Sequence, residues 1–297
     1  MKNIVMALIM AFGLCACGSS TSDAVAQSHT VDYGGGSFTI EKSQLDHPEK
    51  VSVRTFTAPA FKELEAAVGV EVLYTQGSGR QTQVKVTATK EYADYFTAEV
   101  KNGSMTLTWD QDRMRHELGG RKFKVAARVE ITAPAFHKLE ASSGANIVFK
   151  NGLDVKGKFE AELTSGAILA ADNVKATEVE LETNSGAIIN ASSMKCGKFQ
   201  ADVSAGAIIN AKDVTATEEA ELEASSGGVL DADFTECRGQ LKADASSGAV
   251  VEISGKVDGE AKLDASSGGV IKASSVRTSL YHVSTSSGGV VDKPNAR

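Results

Sequence analysis

A short glycine turn recurs eight times in this chain and constrains its fold more than any other feature. Each copy has small residues, usually serine, then a glycine and a run of β-branched residues or leucine, as in "SSGAVVE" and "SSGGVVD". The intervals are 20 to 22 residues, and the glycines are Gly144, Gly166, Gly186, Gly206, Gly227, Gly248, Gly268 and Gly288. A period near 20 residues that persists along the sequence is typical of a stacked repeat, whose units bury their apolar sides against their neighbours.

The residues on both sides of each glycine have the pattern of β-strands. In "FEAELT" (159–164) and "LKADAS" (241–246), apolar residues alternate with polar ones, which is the strand period. Leucine-rich repeats have a similar period but need a leucine lattice, and ankyrin and tetratricopeptide units are longer and helical. The sequence therefore predicts an all-β fold, a parallel β-helix with turns of about 20–22 residues. Equivalent residues of successive turns should lie about 4.7–4.9 Å apart.

We interpret each repeated glycine as a structural corner, because glycine accepts a positive φ without a steric penalty. The alternative, a nucleophilic serine, requires a neighbouring base, and no His or Lys recurs beside these serines. An internal duplication adds Gly69 to the corners. The segment "TAPAFKELEAAVGVEVLYTQG" from Thr57 matches "TAPAFHKLEASSGANIVFKNG" from Thr132 at ten of 21 positions, with an offset of 75 residues.

The chain divides into four segments by composition. Residues 1–17 resemble a bacterial lipoprotein signal peptide with a lipobox, "LCAC", which implies lipid attachment at Cys17; an ordinary cleaved signal peptide is the alternative. Residues 18–33 have the small polar composition of a flexible tether. Residues 34–130 are predicted to be the less regular β-rich N-terminal part of the solenoid, where large side chains such as Trp109 and Phe96 suit a cap or a widened end. Residues 131–297 are predicted to be the regular repeats.

Charge and cysteine content argue against nucleic-acid binding and against metal or redox motifs. The formal net charge of −7 gives no electrostatic support for nucleic-acid binding. Cys196 and Cys237 belong to no CxxC pair or His cluster, so metal and redox motifs are absent. They occupy nearly equivalent positions two turns apart, about 9–10 Å, which exceeds the roughly 7 Å limit for a disulfide. We therefore predict two free, buried thiols.

An acidic residue recurs four positions before the corner glycines. It is Glu65 in the first copy and then Glu140, Glu162, Glu182, Asp202, Glu223, Asp244 and Asp264, before Ser284 ends the series. Alternation places this position outward, so stacking predicts a column of carboxylates about 4.8 Å apart. Like charges destabilise adjacent strands, and Lys138, Lys242 and Lys262 could pair with some of them. A calcium-binding face is one interpretation, although the calcium repeats of β-helices carry Asp in the turn itself. A solvated polar face is the other.

Asn190 and Asn210 are predicted to form a short amide ladder.

The segments "FKELEAAVGVEVLYTQG", "VKNGSMTLTW" and "VEITAPAFHKLEASSGA", together with the Ser-Gly repeats, resemble the putative auto-transporter adhesin, head GIN domain family (DUF2807). The resemblance covers roughly residues 50–290. It implies a right-handed parallel β-helix exported by Gram-negative bacteria and suggests adhesion. It supplies no catalytic residues.

The function predicted from these features is a lipid-anchored, non-catalytic adhesin or binding surface for a glycan or protein, located at the outer membrane and facing the cell surface or the periplasm. One alternative is a carbohydrate-active β-helix enzyme, for which the only candidate site is Asp112, Arg113, Arg115 and His116 in a predicted polar loop. The other is a structural or signalling lipoprotein of the periplasm.

The C-terminal end of the solenoid is a further candidate surface. The last corner is Gly288, and "GVVDKPNAR" follows it. Asp292, Lys293, Arg297 and Pro294 give modest protection to an exposed strand edge. We expect this end to contact another molecule, either in end-to-end homo-oligomers or through a partner that completes the stack.

Overall fold

A computed structural model describes residues 28–33, 36–119 and 122–296. The predicted signal peptide, the lipid attachment site Cys17 and residues 18–27 of the predicted tether lie outside the described residues. One α-helix, α1 (Gln111–Leu118), and three short 3-10 helices (Lys42–Asp46, Pro48–Lys50 and Lys90–Tyr95) accompany the strands in the described part. The strands are β1 (Ser28–Tyr33), β2 (Gly36–Glu41), β3 (Val51–Pro59), β4 (Glu63–Ala66), β5 (Glu71–Gln76), β6 (Gln81–Thr89), β7 (Phe96–Lys101), β8 (Ser104–Trp109), β9 (Lys122–Val125), β10 (Ala127–Ala133), β11 (Lys138–Ala141), β12 (Asn146–Phe149), β13 (Leu153–Asp154), β14 (Lys158–Leu163), β15 (Ile168–Asp172), β16 (Val174–Lys175), β17 (Glu178–Thr183), β18 (Ile188–Ser192), β19 (Lys195–Val203), β20 (Ile208–Ala224), β21 (Val229–Cys237), β22 (Gln240–Ala245), β23 (Val250–Val257), β24 (Glu260–Ala265), β25 (Val270–Thr278), β26 (Leu280–Thr285), β27 (Val290–Asp292) and β28 (Asn295–Ala296).

Parallel strands stack into the β-helix that the repeat predicts. We call one circuit of the chain a rung. The first face of the β-helix contains β4, β11, β14, β17, β22, β24, β26 and the C-terminal parts of β19 and β20. The second face contains β5, β12, β15, β18, β27 and the N-terminal parts of β20, β21, β23 and β25. Short strands such as β13 and β16 close the third side.

The register between rungs follows the sequence repeat. Leu64 aligns with Leu139, so the two copies of the 75-residue duplication form adjacent rungs. Inward residues of the first face are buried and outward residues are half-buried or exposed, as in the pattern of β14. Fully buried Ala, Val, Ile, Leu and Phe side chains fill the interior, and packing between rungs supplies the apolar burial that no single rung can provide.

Each corner after the first face is a tight β-turn with two left-handed residues. Ser247 has φ 51° and Gly248 has φ 74°, and the N–H of Ala249 donates to the carbonyl of Ser246 at 3.0 Å. Positive φ at both central positions defines a type I′ turn. The nine corner glycines have φ between 68° and 80°. The sequence pattern did not reveal that the residue before each glycine is also left-handed.

The N-terminal part forms a cap of antiparallel strands and one helix. On the second face, β10 pairs with β5, β6 with β10, and β3 with β6. On the first face, β8 pairs with β4 and β7 with β8. Trp109 and Phe96 are buried here, with ring centroids 5.0 Å apart. The larger side chains therefore occupy the cap, where the sequence placed them.

Two expectations for this part need correction. Residues 28–33, assigned to the flexible tether, form β1, which pairs antiparallel with β2. The predicted polar loop around Asp112 is α1. Asp110 caps this helix by accepting a hydrogen bond from the N–H of Arg113 at 3.0 Å, and Gly119 ends it in the left-handed region. Both are standard capping signals, and buried Met114 anchors the helix to the cap.

Candidate functional site

The predicted acidic residues form one outward row on the first face of the β-helix. Strand register aligns them from rung to rung. We call this row the acidic column; its members are Glu65, Glu140, Glu162, Glu182, Asp202, Glu223, Asp244 and Asp264. Ser284 follows Asp264 on the last rung. The spacing between parallel strands places successive carboxylates within a few ångströms of each other, so the column is a strip of concentrated negative charge.

Lysines offset part of the negative charge at two places along the column. Lys138 Nζ lies 2.7 Å from Glu162, 2.9 Å from Glu140 and 3.2 Å from Glu160. Hydrogen bonds to these carboxylates, that with Glu162 foremost, raise the pKa of Lys138. A positive charge shared by several carboxylates offsets part of their mutual repulsion.

Lys242 plays the same part further along the face. It lies 2.6 Å from Glu221, 3.2 Å from Asp244 and 3.8 Å from Glu223. Its pKa is raised, chiefly by the hydrogen bond to Glu221. Lys262, the third lysine expected to pair with the column, instead contacts Glu260 at 3.5 Å. An unanticipated lysine, Lys158, contacts Glu180, Glu160 and Glu178.

Three carboxyls in the middle of the column have raised pKa values. Burial, followed by the neighbouring Glu180, raises the pKa of Glu182. Burial also raises the pKa of Asp202 and of Glu223. These three carboxyls line a small depression of about 160 Å³, which we call the acidic pocket. Their raised pKa values show that the folded protein holds negative charge here at a cost in stability.

A pH-dependent stability effect follows for Asp202→Asn. Because the pKa of Asp202 is higher in the folded state than in the unfolded chain, its ionisation destabilises the fold above the folded pKa, and this penalty disappears as the pH falls. The substitution should therefore raise stability at about pH 7, by less than about 1 kcal/mol because the side chain is partly solvated, and by nearly nothing at about pH 3. Thermal unfolding at both pH values measures this. The control is Glu252→Gln, which loses the 3.4 Å contact with Lys272 and should give no gain. An equal gain from Asp202→Asn at both pH values would contradict the expected linkage.

A wider groove lies at the N-terminal end of the same face. Its volume is about 440 Å³, and its walls include Glu65, Glu140, Glu162 and Glu182 together with Thr106 and Thr108. We call it the N-terminal groove. Thr106 comes from β8, so the cap and the regular rungs build it jointly. Carboxylates and hydroxyls line it, so it offers hydrogen-bond acceptors and negative charge to a ligand.

The column does not have the form of a calcium site. In the part of the chain that the structure describes, no group of three or more His, Cys, Asp or Glu side chains is arranged to hold a metal ion. Calcium needs six to eight oxygen ligands that converge on one point. The outward carboxylates run in a line and several are held by lysines, which favours the interpretation of a charged, solvated surface.

The remaining candidate residues lie apart from the acidic column. On α1, Arg115 pairs with Asp112 at 2.5 Å, while Arg113 pairs with Glu117 at 2.9 Å and stacks on Tyr95. Pairs spaced three or four residues apart are typical of a solvated helix surface. His116 is exposed on the same helix. The structure therefore brings these residues together on the cap surface, and none of them lines the acidic pocket or the N-terminal groove.

Two smaller predictions are confirmed by the structure. Cys196 and Cys237 are free and buried, and both align with Ala216 between them, two rungs apart. Burial raises the pKa of Cys196 to about 12 and that of Cys237 to about 11, so neither thiol ionises readily near neutral pH. The Asn210 side-chain Nδ2 donates to the side-chain Oδ1 of Asn190 at 2.8 Å, which is the predicted amide ladder.

None of the helices in the described residues is long and apolar enough to span a membrane.

Comparison with known proteins agrees with this architecture. A putative adhesin from Parabacteroides distasonis superposes with a TM-score of 0.68 at 15% identity, covering 82% of this chain and 96% of that one. A putative lipid binding protein from the same species gives a TM-score of 0.67 at 12% identity, with 83% and 98% covered. A putative adhesin from Parabacteroides merdae gives 0.64 at 14% identity, with 83% and 97% covered. At these identities the structures show a shared fold.

At the level of sequence, no curated protein is significantly similar. The family described as "Putative auto-transporter adhesin, head GIN domain" (DUF2807) matches residues 60–236, which include the strands from β4 to β20 and most of the acidic column. The chain belongs to this adhesin-like family.

Proposed function

We propose that this protein is a non-catalytic adhesin of the bacterial envelope that is exported, attached to the outer membrane through a lipid on Cys17, and binds its ligand along the acidic column. The lipobox-like "LCAC" supports the anchor. The family supports the adhesive role. The acidic column supports the location of the binding surface, since strand register aligns its carboxylates along one face over eight rungs.

The observation that carries the proposal is the persistence of a carboxylate at one outward position over eight rungs. The raised pKa values of Glu182, Asp202 and Glu223 mean that these charges oppose folding. Residues that reduce stability without a structural benefit are characteristic of functional surfaces. A strip of negative potential attracts cationic groups over a distance of about 8 Å at physiological salt and speeds their association.

This electrostatic pattern narrows the ligand class. It fits a protein with a basic segment or a glycan that carries amino groups, with the hydroxyls of the N-terminal groove as additional hydrogen-bonding partners. It disfavours polyanionic glycans, because like charges would oppose their binding. The alternative of an enzyme acting on acidic polysaccharides is disfavoured for the same reason, and a glycosidase would also need carboxyls held at a defined separation.

Binding measurements with charged probes test the ligand surface. Oligolysine and chitosan oligosaccharide should bind the purified protein, and added salt should weaken the binding. The triple variant Glu182→Gln, Asp202→Asn, Glu223→Gln should lose affinity by about tenfold or more, which corresponds to about 1.4 kcal/mol. The control variant Asp231→Asn, Glu252→Gln removes charge from the second face and should bind as the unchanged protein does. Equal binding by both variants, or preferential binding of polygalacturonate, would reject this surface.

Experiments on cells test the anchor and the exposed side. Metabolic labelling with a fatty acid should modify the protein, and Cys17→Ala should abolish the label. Cleavage of the protein by protease added to intact cells supports surface display. Protection from protease would favour the alternative of a structural or signalling lipoprotein in the periplasm.

A further inference from the structure

The last rung of the β-helix leaves two strand edges uncovered. β26 pairs with β24 and β27 pairs with β25, and among the described residues no strand pairs with either on its other side. The N–H of Ser286 donates to the carbonyl of Ala265 at 3.0 Å, and the N–H of Val290 donates to that of Gly269 at 2.9 Å. Since successive residues of a strand direct their polar groups to opposite sides, the backbone groups of Val283, Thr285 and Val291 face outward along the solenoid axis.

Several apolar side chains of this rung are incompletely covered. Tyr281 and Val283 continue the inward rows of Ala261 and Leu263, yet Tyr281 is 36% exposed and Val283 is only partly buried. Leu280 and Val290 point outward and are 57% and 54% exposed. Inward rows that are fully buried on the preceding rungs therefore end in contact with solvent.

The edge strand also lacks the charges that normally protect such edges. The outward positions of β24 are Glu260, Lys262 and Asp264, and those of β26 are Leu280, His282 and Ser284. The sequence "LYHVST" contains no Asp, Glu, Lys or Arg. Exposed edge strands are usually blunted by charged residues or proline, so β26 has the character of a strand that pairs with another strand.

The opposite end of the solenoid is built differently. Its edge strands are β3 and β7, which carry Arg54 and Pro59 on one strand and the ion pair between Glu99 and Lys101 on the other. Arg54 is held by the carbonyl of Phe96 at 2.8 Å, across from β3 to β7. These are protected edges. A head-to-tail stack, which would need both ends to be adhesive, is therefore disfavoured.

We propose that two copies of this chain associate tail to tail through β26, with a two-fold axis at Val283. Antiparallel pairing about this axis places Val283 opposite its own counterpart, Tyr281 opposite the counterpart of Thr285, and His282 opposite that of Ser284. Inward residues then face inward residues, so the apolar interior continues across the interface. A two-fold interface of this kind closes on itself and ends growth at a dimer.

Hydrogen bonding and charge both agree with this register. Val283 and Thr285 supply free N–H and carbonyl groups on the side that faces the second copy, which completes an antiparallel ladder. The acidic column, which ends with Asp264 and Ser284, continues into the column of the second copy that holds His282, Lys262 and Lys242. The acidic column of each copy therefore meets the basic residues of the other copy at the interface. This attraction favours the proposed orientation over one in which two acidic columns would meet.

Sedimentation equilibrium of the purified protein tests the proposal. We expect a monomer–dimer equilibrium with a dissociation constant on the order of micromolar, because one cross-section of a solenoid is a small interface. Val283→Pro removes a donor from the free edge and leaves the hydrogen bonds to β24 in place, so it should produce a monomer. The matched control Val283→Ile keeps the N–H and the apolar side chain and should still dimerise.

A second variant keeps the test decisive if Val283→Pro disturbs the fold. Leu280 is outward and exposed, so Leu280→Lys should leave the melting temperature unchanged, while its charge at the edge should weaken dimerisation at least about tenfold. A strict monomer at all concentrations for the unchanged protein would overturn the proposal. So would a dimer that survives both Val283→Pro and Leu280→Lys, since its interface would lie elsewhere.

Discussion

Gly239→Ala should destabilise the protein by about 3 kcal/mol or more, which is much more than its single added methyl group suggests. A Cβ at this position would lie 1.3 Å from the carbonyl oxygen of Glu218 on the preceding rung. The obstacle is backbone and cannot rotate away, so one rung must separate locally from the next. Because each rung is stabilised mainly by its neighbours, we expect the damage to spread to the rungs on both sides. Chemical denaturation measures the loss in the free energy of unfolding.

A matched control separates crowding from backbone conformation. Gly206 has φ 71°, and a Cβ there would meet nothing within 4 Å. Gly206→Ala should therefore cost only about 1–2 kcal/mol, the penalty of a left-handed backbone for a residue with a Cβ. Gly206→Asn should cost less, since asparagine tolerates this conformation best among residues with a side chain. Similar losses for Gly239→Ala and Gly206→Ala would mean that conformation, not the close approach of two rungs, limits the choice of residue at position 239.

The comparison of Gly239 with Gly206 shows what a sequence repeat reveals and what it hides. The period of the Ser-Gly motif identifies Gly206 as a corner, and it also sets the register that aligns Glu182 with Asp202. Gly239 stands outside the motif, in "CRGQ", and its constraint comes from a rung about 20 residues away in the sequence. A local sequence pattern can predict the backbone conformation of a residue. A close approach between two rungs depends on tertiary structure and is not visible in such a pattern.

The candidate binding site could also be predicted in part from the sequence. Four-residue spacing from each corner glycine was enough to place the acidic column on one outward face, because every rung has the same length between the acid and the corner. Lys158, which contacts Glu180 on the next rung, was missed because it lies two positions earlier in its repeat than the expected lysines. The N-terminal groove was missed because Thr106 reaches it from the cap strand β8, which lies outside the repeat.

The cap itself was the least predictable part. Asp110 and Gly119 are readable as helix caps, and they were overlooked because the polar segment between them has only one apolar residue facing the core, Met114. The strand β1 has no repeat partner in the sequence, and among the described residues it pairs with β2 alone. Residues in the cap are held by contacts with segments distant in the sequence. Local sequence patterns therefore predict the secondary structure of the cap poorly.

The joint between cap and repeats depends on Phe136, and Phe136→Ala is expected to cost about 3–5 kcal/mol. Its ring is fully buried and lies between 4.9 and 6.1 Å from the rings of four others, which are Tyr74, Phe61, Phe149 and Phe159. Phe61 and Phe136 are equivalent residues of the internal duplication, now on adjacent rungs. The chain segment around Phe136 leads from β10 in the cap to β11 in the repeats, and the Tyr74 hydroxyl donates to the carbonyl of Pro134 at 2.8 Å. Loss of the ring therefore removes packing on both sides of the joint.

The strands in which hydrogen exchange accelerates should distinguish Phe136 from other buried phenylalanines. In a stacked repeat, each rung contacts mainly its neighbours, so local unfolding of one rung need not spread to distant rungs. Hydrogen exchange of Phe136→Ala should accelerate in β5, β10 and β12, while β22 and β24 keep their protection. The control is Phe234→Ala, in which the lost ring is fully buried against Phe199 at 6.0 Å in the middle of the repeats, and there the faster exchange should appear in β19, β21 and β23. Uniform acceleration in both variants would mean that the cap and the repeats unfold as one cooperative unit, and Phe136 would then be an ordinary core residue instead of the link between two separately stabilised parts.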